Sequence, residues 1–215
     1  MGLSGFFFLF IIITNITSGK FGYKTFGDVD PDAQLQMIKK DPKKFKISVV
    51  LILIEHFSII CLAVVLFITF SSYLIFGIIW CISRIGEALI QIYDKKNYWG
   101  LLNLANQYFD NSGAKRDALI NSGRNILKTK DIRFGFAQIL FSVGTIAYAI
   151  VFISSGVAPI LGWFGLIAGI LYGIGNTIFL LKPNFKIFWN IGGLLILLFE
   201  LVLGGWLLVY SVIIP

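Results

Sequence analysis

Six stretches of apolar residues, each near the roughly 20 residues that cross a bilayer as a helix, alternate along the chain with polar segments. The first, GFFFLFIIITNIT, lies within residues 3–18. No basic residues precede it and no A-x-A cleavage pattern follows, so it reads as a short transmembrane helix and not as a cleaved signal. In the polar segment 19–46, Asp30-Pro31 and Asp41-Pro42 each place a capping carboxylate before a proline at the first helical position. The second pair launches the next membrane helix, with Lys43, Lys44 and Lys46 snorkelling at its cytoplasmic end.

The apolar region 47–93 is too long for one crossing. Thr69-Phe70-Ser71-Ser72-Tyr73 predicts a fold-back, giving helices over 47–70 and 73–93. In the polar segment 94–133, Tyr98, Leu101, Leu102, Ala105, Tyr108 and Phe109 share one helical face, predicting an interfacial helix. A more basic amphipathic helix over 114–127 follows the Asn111-Ser112-Gly113 turn. Helices over 134–153, 160–180 and 187–213 complete the set, joined by turns at 154–159 and at Lys182-Pro183-Asn184. The expected fold is an all-α membrane protein: one membrane domain over 1–215, a six-transmembrane-helix bundle with cytoplasmic amphipathic helices.

Composition agrees with that pattern. Of the 215 residues, 57% are hydrophobic and 13% charged, and the mean hydropathy is +0.85, values of an integral membrane protein. The net charge of +7 would suggest nucleic acid if the basic residues lined one soluble face. Instead, the segments after helices one, three and five hold seven, eight and two of the 18 lysines and arginines, and Arg84 is the remainder. By the positive-inside rule that side is cytoplasmic and both termini lie outside a cell membrane. The expected partner is therefore the lipid bilayer and not a nucleic acid. Cys61 and Cys81 both lie in apolar runs and report no redox compartment.

Candidate chemistry sits inside the apolar runs. Arg84 and Glu87 are spaced i, i+3 on one helical face and can pair. Folding the hairpin brings Glu55 and His56 opposite them, and Glu200 lies near the middle of the sixth helix. An ionised group at mid-membrane costs about 2.5–3.5 kcal/mol on insertion scales, so each should face the bundle interior. Two readings stand: a cavity lined by Glu55, His56, Arg84, Glu87 and Glu200 that binds a polar or cationic group, or an Arg–Glu tie with neutral acids bonded to neighbouring helices. No C-x-x-C, H-E-x-x-H, G-x-S-x-G, P-loop or haem-attachment pattern occurs, so no catalytic residue, metal or cofactor is expected. Gly165, Gly169 and Gly173 form GxxxGxxxG, a spacing for close helix packing within the bundle or along a homodimer seam.

The order KKDPKKFKISVVLILIEHF, FGIIWCISRIGEAL, VFISSGVAPILGWFGLIAGILYGIGNTIFLLKPN, FELVLGGWLLV resembles the prokaryotic membrane family known as domain of unknown function 4386. Arg84 and Glu87 match its charged third segment, Ser155, Gly156 and Pro159 its S-G-x-x-P turn, and Glu200 and Trp206 its late E-x-x-x-x-x-W. The resemblance implies a six-helix membrane fold in which Arg84, Glu87 and Glu200 matter, and it implies no activity. Three functions follow as expectations. The first is a non-enzymatic membrane component or accessory subunit with a membrane-protein partner. The second is a binder or transporter of a small molecule or lipid using the charged cavity. The third is an intramembrane lipid-modifying enzyme with His56 or Glu55 as acid or base.

Overall fold

The computed structural model describes residues 1–21, 30–182 and 185–213. Lys24 and the last two residues of the Lys182-Pro183-Asn184 turn lie outside the described residues. The chain is helical: α1 (Gly2–Lys20), α2 (Pro31–Lys40), α3 (Pro42–Thr69), α4 (Leu74–Tyr108), α5 (Ala114–Ser155), α6 (Pro159–Leu181) and α7 (Ile187–Ile213). All but α2 are long and apolar enough to cross a membrane.

Local chemistry sets the ends. The Asp30 side chain accepts from Asp32 N at 3.2 Å and Pro31 opens α2, while Asp41 Oδ1 accepts from Lys44 N at 2.9 Å and caps α3. A single 3-10 turn, Ser71–Tyr73, reverses the chain between α3 and α4. Gly113 and Gly156 take φ of +56° and +68° in the turns before α5 and α6, a region where side chains are strained.

The helices α4 and α5 differ from the sequence-based boundaries. The predicted interfacial helix is the continuation of α4, whose 35 residues extend about 52 Å, and the predicted 114–127 helix is the start of α5, whose 42 residues extend about 63 Å. Both exceed the roughly 30 Å hydrocarbon core. No glycine or proline lies between Ile90 and Lys96 or between Arg124 and Phe134, so nothing in the backbone stops either helix there.

The chain divides into two compact units. The first unit comprises Met1–Ile12, His56–Leu89 and Gly135–Pro215. Its core joins Phe8, Leu62, Leu66, Trp80, Phe152, Phe199, Leu203 and Leu207, with an aromatic knot in which Tyr148 lies 4.7 Å from Trp80, 4.8 Å from Phe152 and 5.5 Å from Phe70. In this unit Gly169 meets Ile146 of α5, Gly165 the Phe199 ring of α7, and Gly173 the Ser142 side chain of α5. The second unit comprises Ile13–Glu55 and Ile90–Phe134. Leu35 and Ile38 of α2 pack there with Phe45, Val49 and Ile52 of α3, Tyr98, Leu101 and Ala105 of α4, and Leu127 of α5.

Candidate functional site

In the first unit the polar site grows from the buried stripe of α4. Trp80, Ser83, Arg84, Glu87 and Ala88 recur at helical spacing and are all buried. Arg84 is 1% exposed. Its aliphatic stem lies against Gly144 of α5, where an added Cβ would stand 3.3 Å from Arg84 Cγ and Cδ. The guanidinium is 4.2 Å from the Phe141 ring centroid and 5.4 Å from that of Trp80. Its Nη1 lies 2.8 Å from Glu87 Oε2.

Ion pairing and two aromatic faces together replace part of the hydration that burial strips from the charge. The Trp80 indole is fixed in turn by donating to the Ala63 carbonyl at 3.2 Å. Beside Arg84, Phe141 meets Tyr172 edge-on at 5.7 Å, and the Tyr172 hydroxyl donates to Gln138 Oε1 at 2.9 Å. Asn176, fully buried one turn along α6, donates to the Tyr172 carbonyl at 2.8 Å. Replacing Tyr172 with phenylalanine removes one hydrogen bond and no ring contact. A loss of about 0.5–1 kcal/mol is expected, seen as a small drop in the thermal midpoint in detergent.

Glu200 of α7 is half-buried on the edge of the stripe formed by Ile196, Phe199, Leu203 and Leu207. It lies within electrostatic reach of Arg84 but makes no ion pair within 4 Å among the described residues. His56 is buried in the same unit. Thus the structure joins Arg84 to Glu87 and places Glu200 in reach of the pair. Glu55 belongs to the second unit, where its Oε1 accepts from Asn15 Nδ2 at 2.9 Å.

That second unit also buries charged groups of the polar segment 94–133. Lys95 and Lys130 are 2% and 3% exposed. Lys95 Nζ donates to Gln91 Oε1 at 3.4 Å and lies 4.9 Å from the Tyr98 ring centroid. Asp94 Oδ1 accepts from Arg133 at 3.0 Å and from Asn97 at 3.0 Å, and Lys130 lies 3.2 Å from Asp131. Glu55, Asp94 and Lys130 all act electrostatically on Lys95. Formal charges balance in this cluster, because Glu55, Asp94 and Asp131 stand against Lys95, Lys130 and Arg133.

Further along the same unit, the Tyr108 hydroxyl donates to Asp32 Oδ1 and accepts from Arg116, tying α2 to α4 and α5. The Tyr108 hydrogen bond, with the nearby Arg116 cation, holds the Asp32 carboxyl below its ordinary range. The sign follows from linkage: this contribution is present above the unfolded aspartate pKa and is lost as pH falls through the lowered one.

Among the described residues, no three His, Cys, Asp or Glu side chains gather as a metal ion would require. Cys61 and Cys81 are free thiols. A family model described as Domain of unknown function (DUF4386) matches residues 3–210. No curated protein and no solved structure matches the chain.

Proposed function

We propose, for a chain that belongs to the DUF4386 family, the role of a non-enzymatic component of the cell membrane that works as an accessory subunit beside another membrane protein. One observation carries this reading: Arg84, 1% exposed, finds its charge partner within its own unit. It is ion-paired to Glu87 at 2.8 Å and enclosed by Trp80 and Phe141, as a structural tie would be. The guanidinium is buried with a carboxylate of its own helix and two aromatic rings against it, which supports a structural tie over a ligand-binding group. The distribution of lysine and arginine supports an orientation with both termini outside.

Native mass spectrometry of the protein extracted gently from its own membrane tests the role. Co-migration with another polypeptide at fixed stoichiometry is the expected result. A reproducible small-molecule mass increment on an otherwise isolated chain would overturn it in favour of a binder. That second reading has one observation behind it, the Glu200 carboxyl inside the first unit with no cation within 4 Å among the described residues. A cationic or protonatable group is what such a carboxyl would recognise. In that case Glu200→Gln removes the increment and leaves the fold intact.

A further inference from the structure

The foot of α3 joins two features that together have the form of a phospholipid. Lys39 and Lys40 close α2, and Lys43, Lys44 and Lys46 open α3, so five lysines fall within eight residues. All five are exposed, and none makes an ion pair among the described residues. The one acid among them, Asp41, has an oxygen committed to the Lys44 amide at 2.9 Å as the α3 cap. The segment therefore presents a net charge of +4.

From this collar an apolar stripe runs along the helix. Ile47, Val50 and Ile54 are 46%, 47% and 41% exposed, although residues on the opposite side of α3, Val49 and Ile52, are fully buried. Lys43, Ile47, Val50 and Ile54 follow one another at intervals of four, three and four, and Lys46 precedes Val50 by four, so the lysines stand on the same helical face as the stripe. From Lys43 to Ile54 the rise is about 16 Å, close to half of a roughly 30 Å hydrocarbon core. A cationic head end therefore continues into an apolar track as long as one leaflet is deep.

We infer that this face of α3 is a binding site for an anionic phospholipid, whose phosphate sits among Lys43, Lys46 and their neighbours while an acyl chain lies along Ile47, Val50 and Ile54. Charge complementarity selects the anionic headgroup, and the stripe selects a lipid over a soluble phosphate. Lysines that only fixed topology would need neither alignment with the stripe nor a preference between headgroups. The inference rests on the chain lying in a bilayer and holds for either orientation and for either role of the Arg84 site.

The test uses the full chain, purified in neutral detergent and titrated in native mass spectrometry with phosphatidylglycerol or with phosphatidylcholine of the same acyl chains. Wild type is expected to take up phosphatidylglycerol at least tenfold more readily, an advantage that shrinks as salt rises. Each lysine near a headgroup contributes about fivefold, so the Lys43→Gln, Lys46→Gln double variant should bind phosphatidylglycerol roughly twenty-five-fold more weakly and phosphatidylcholine as before. Equal uptake of the two lipids by wild type, or undiminished phosphatidylglycerol binding by a folded double variant, overturns the site. Displacement by inorganic phosphate at matched ionic strength overturns the lipid assignment. If the double variant fails to fold, the headgroup preference of wild type and its salt dependence decide the matter alone.

Discussion

Replacing Arg84 with alanine is expected to destabilise the protein by about 3–5 kcal/mol, the range for removing one partner of a buried ion pair. Two losses combine. The Glu87 carboxylate, 4% exposed, is deprived of its cation at 2.8 Å. The stem that fills the space against Gly144 and the guanidinium that fills it between Trp80 and Phe141 disappear together, leaving a cavity. At roughly 2–4 °C per kcal/mol for a chain of this size, the thermal midpoint in detergent should fall by about 10 °C.

The informative variant is the double one. Arg84→Met with Glu87→Met keeps most of the volume and buries no charge, so it should be clearly more stable than Arg84→Ala and more stable than Arg84→Met alone. That ordering identifies a structural tie. If Arg84→Ala instead melts with wild type, the guanidinium is hydrated from an open cavity, and the accessory-subunit reading loses its supporting observation.

This pair was legible in the sequence because both charges sit on one helix, where i, i+3 spacing alone fixes that they can meet. The Asp-Pro helix starts and the turn after Thr69 were legible for the same reason, being local. Glu55 and His56 are both buried, as their place in an apolar run requires of charged and polar groups. Adjacent residues on a helix point about 100° apart, so sequence alone does not say which neighbours each one meets. The burial of Lys95 and Lys130 is not something their polarity conveys. A usable signal was present: the stripe of Trp80, Arg84, Glu87 and Gln91 continues at the same spacing through Asp94 and Lys95 to Tyr98, Leu102 and Ala105. Following its period past residue 93, where the apolar run ends, would have placed Asp94 and Lys95 inside. Asn15 and Gln138 carry no such pattern, since their partners Glu55 and Tyr172 lie on other helices and only the fold brings them near.

Glycines give the second large effect, and it falls at positions other than the GxxxGxxxG motif. Helices α6 and α7 approach backbone to backbone: a Cβ built on Gly192 would stand 2.7 Å from Tyr172 Cα, and one on Gly175 would stand 2.8 Å from the Phe188 carbonyl carbon and the Trp189 amide nitrogen. Main-chain atoms inside a helix cannot rotate away, so even a methyl group must push the helices apart. Gly192→Ala should therefore cost about 1–3 kcal/mol, and Gly192→Leu more. At Gly173 the nearest atom is Ser142 Cβ at 3.1 Å, which yields more easily, so Gly173→Ala should cost less. Gly205, on the same helix as Gly192, has nothing within 4 Å of its added Cβ. There alanine should be neutral or stabilising by up to about 1 kcal/mol, through helix propensity alone. Thermal midpoints of the four variants in one detergent give the comparison. Equal midpoints for Gly192→Ala and Gly205→Ala would mean that α6 and α7 do not meet at Tyr172, whereas the graded order ties their contact to the glycines at the crossing.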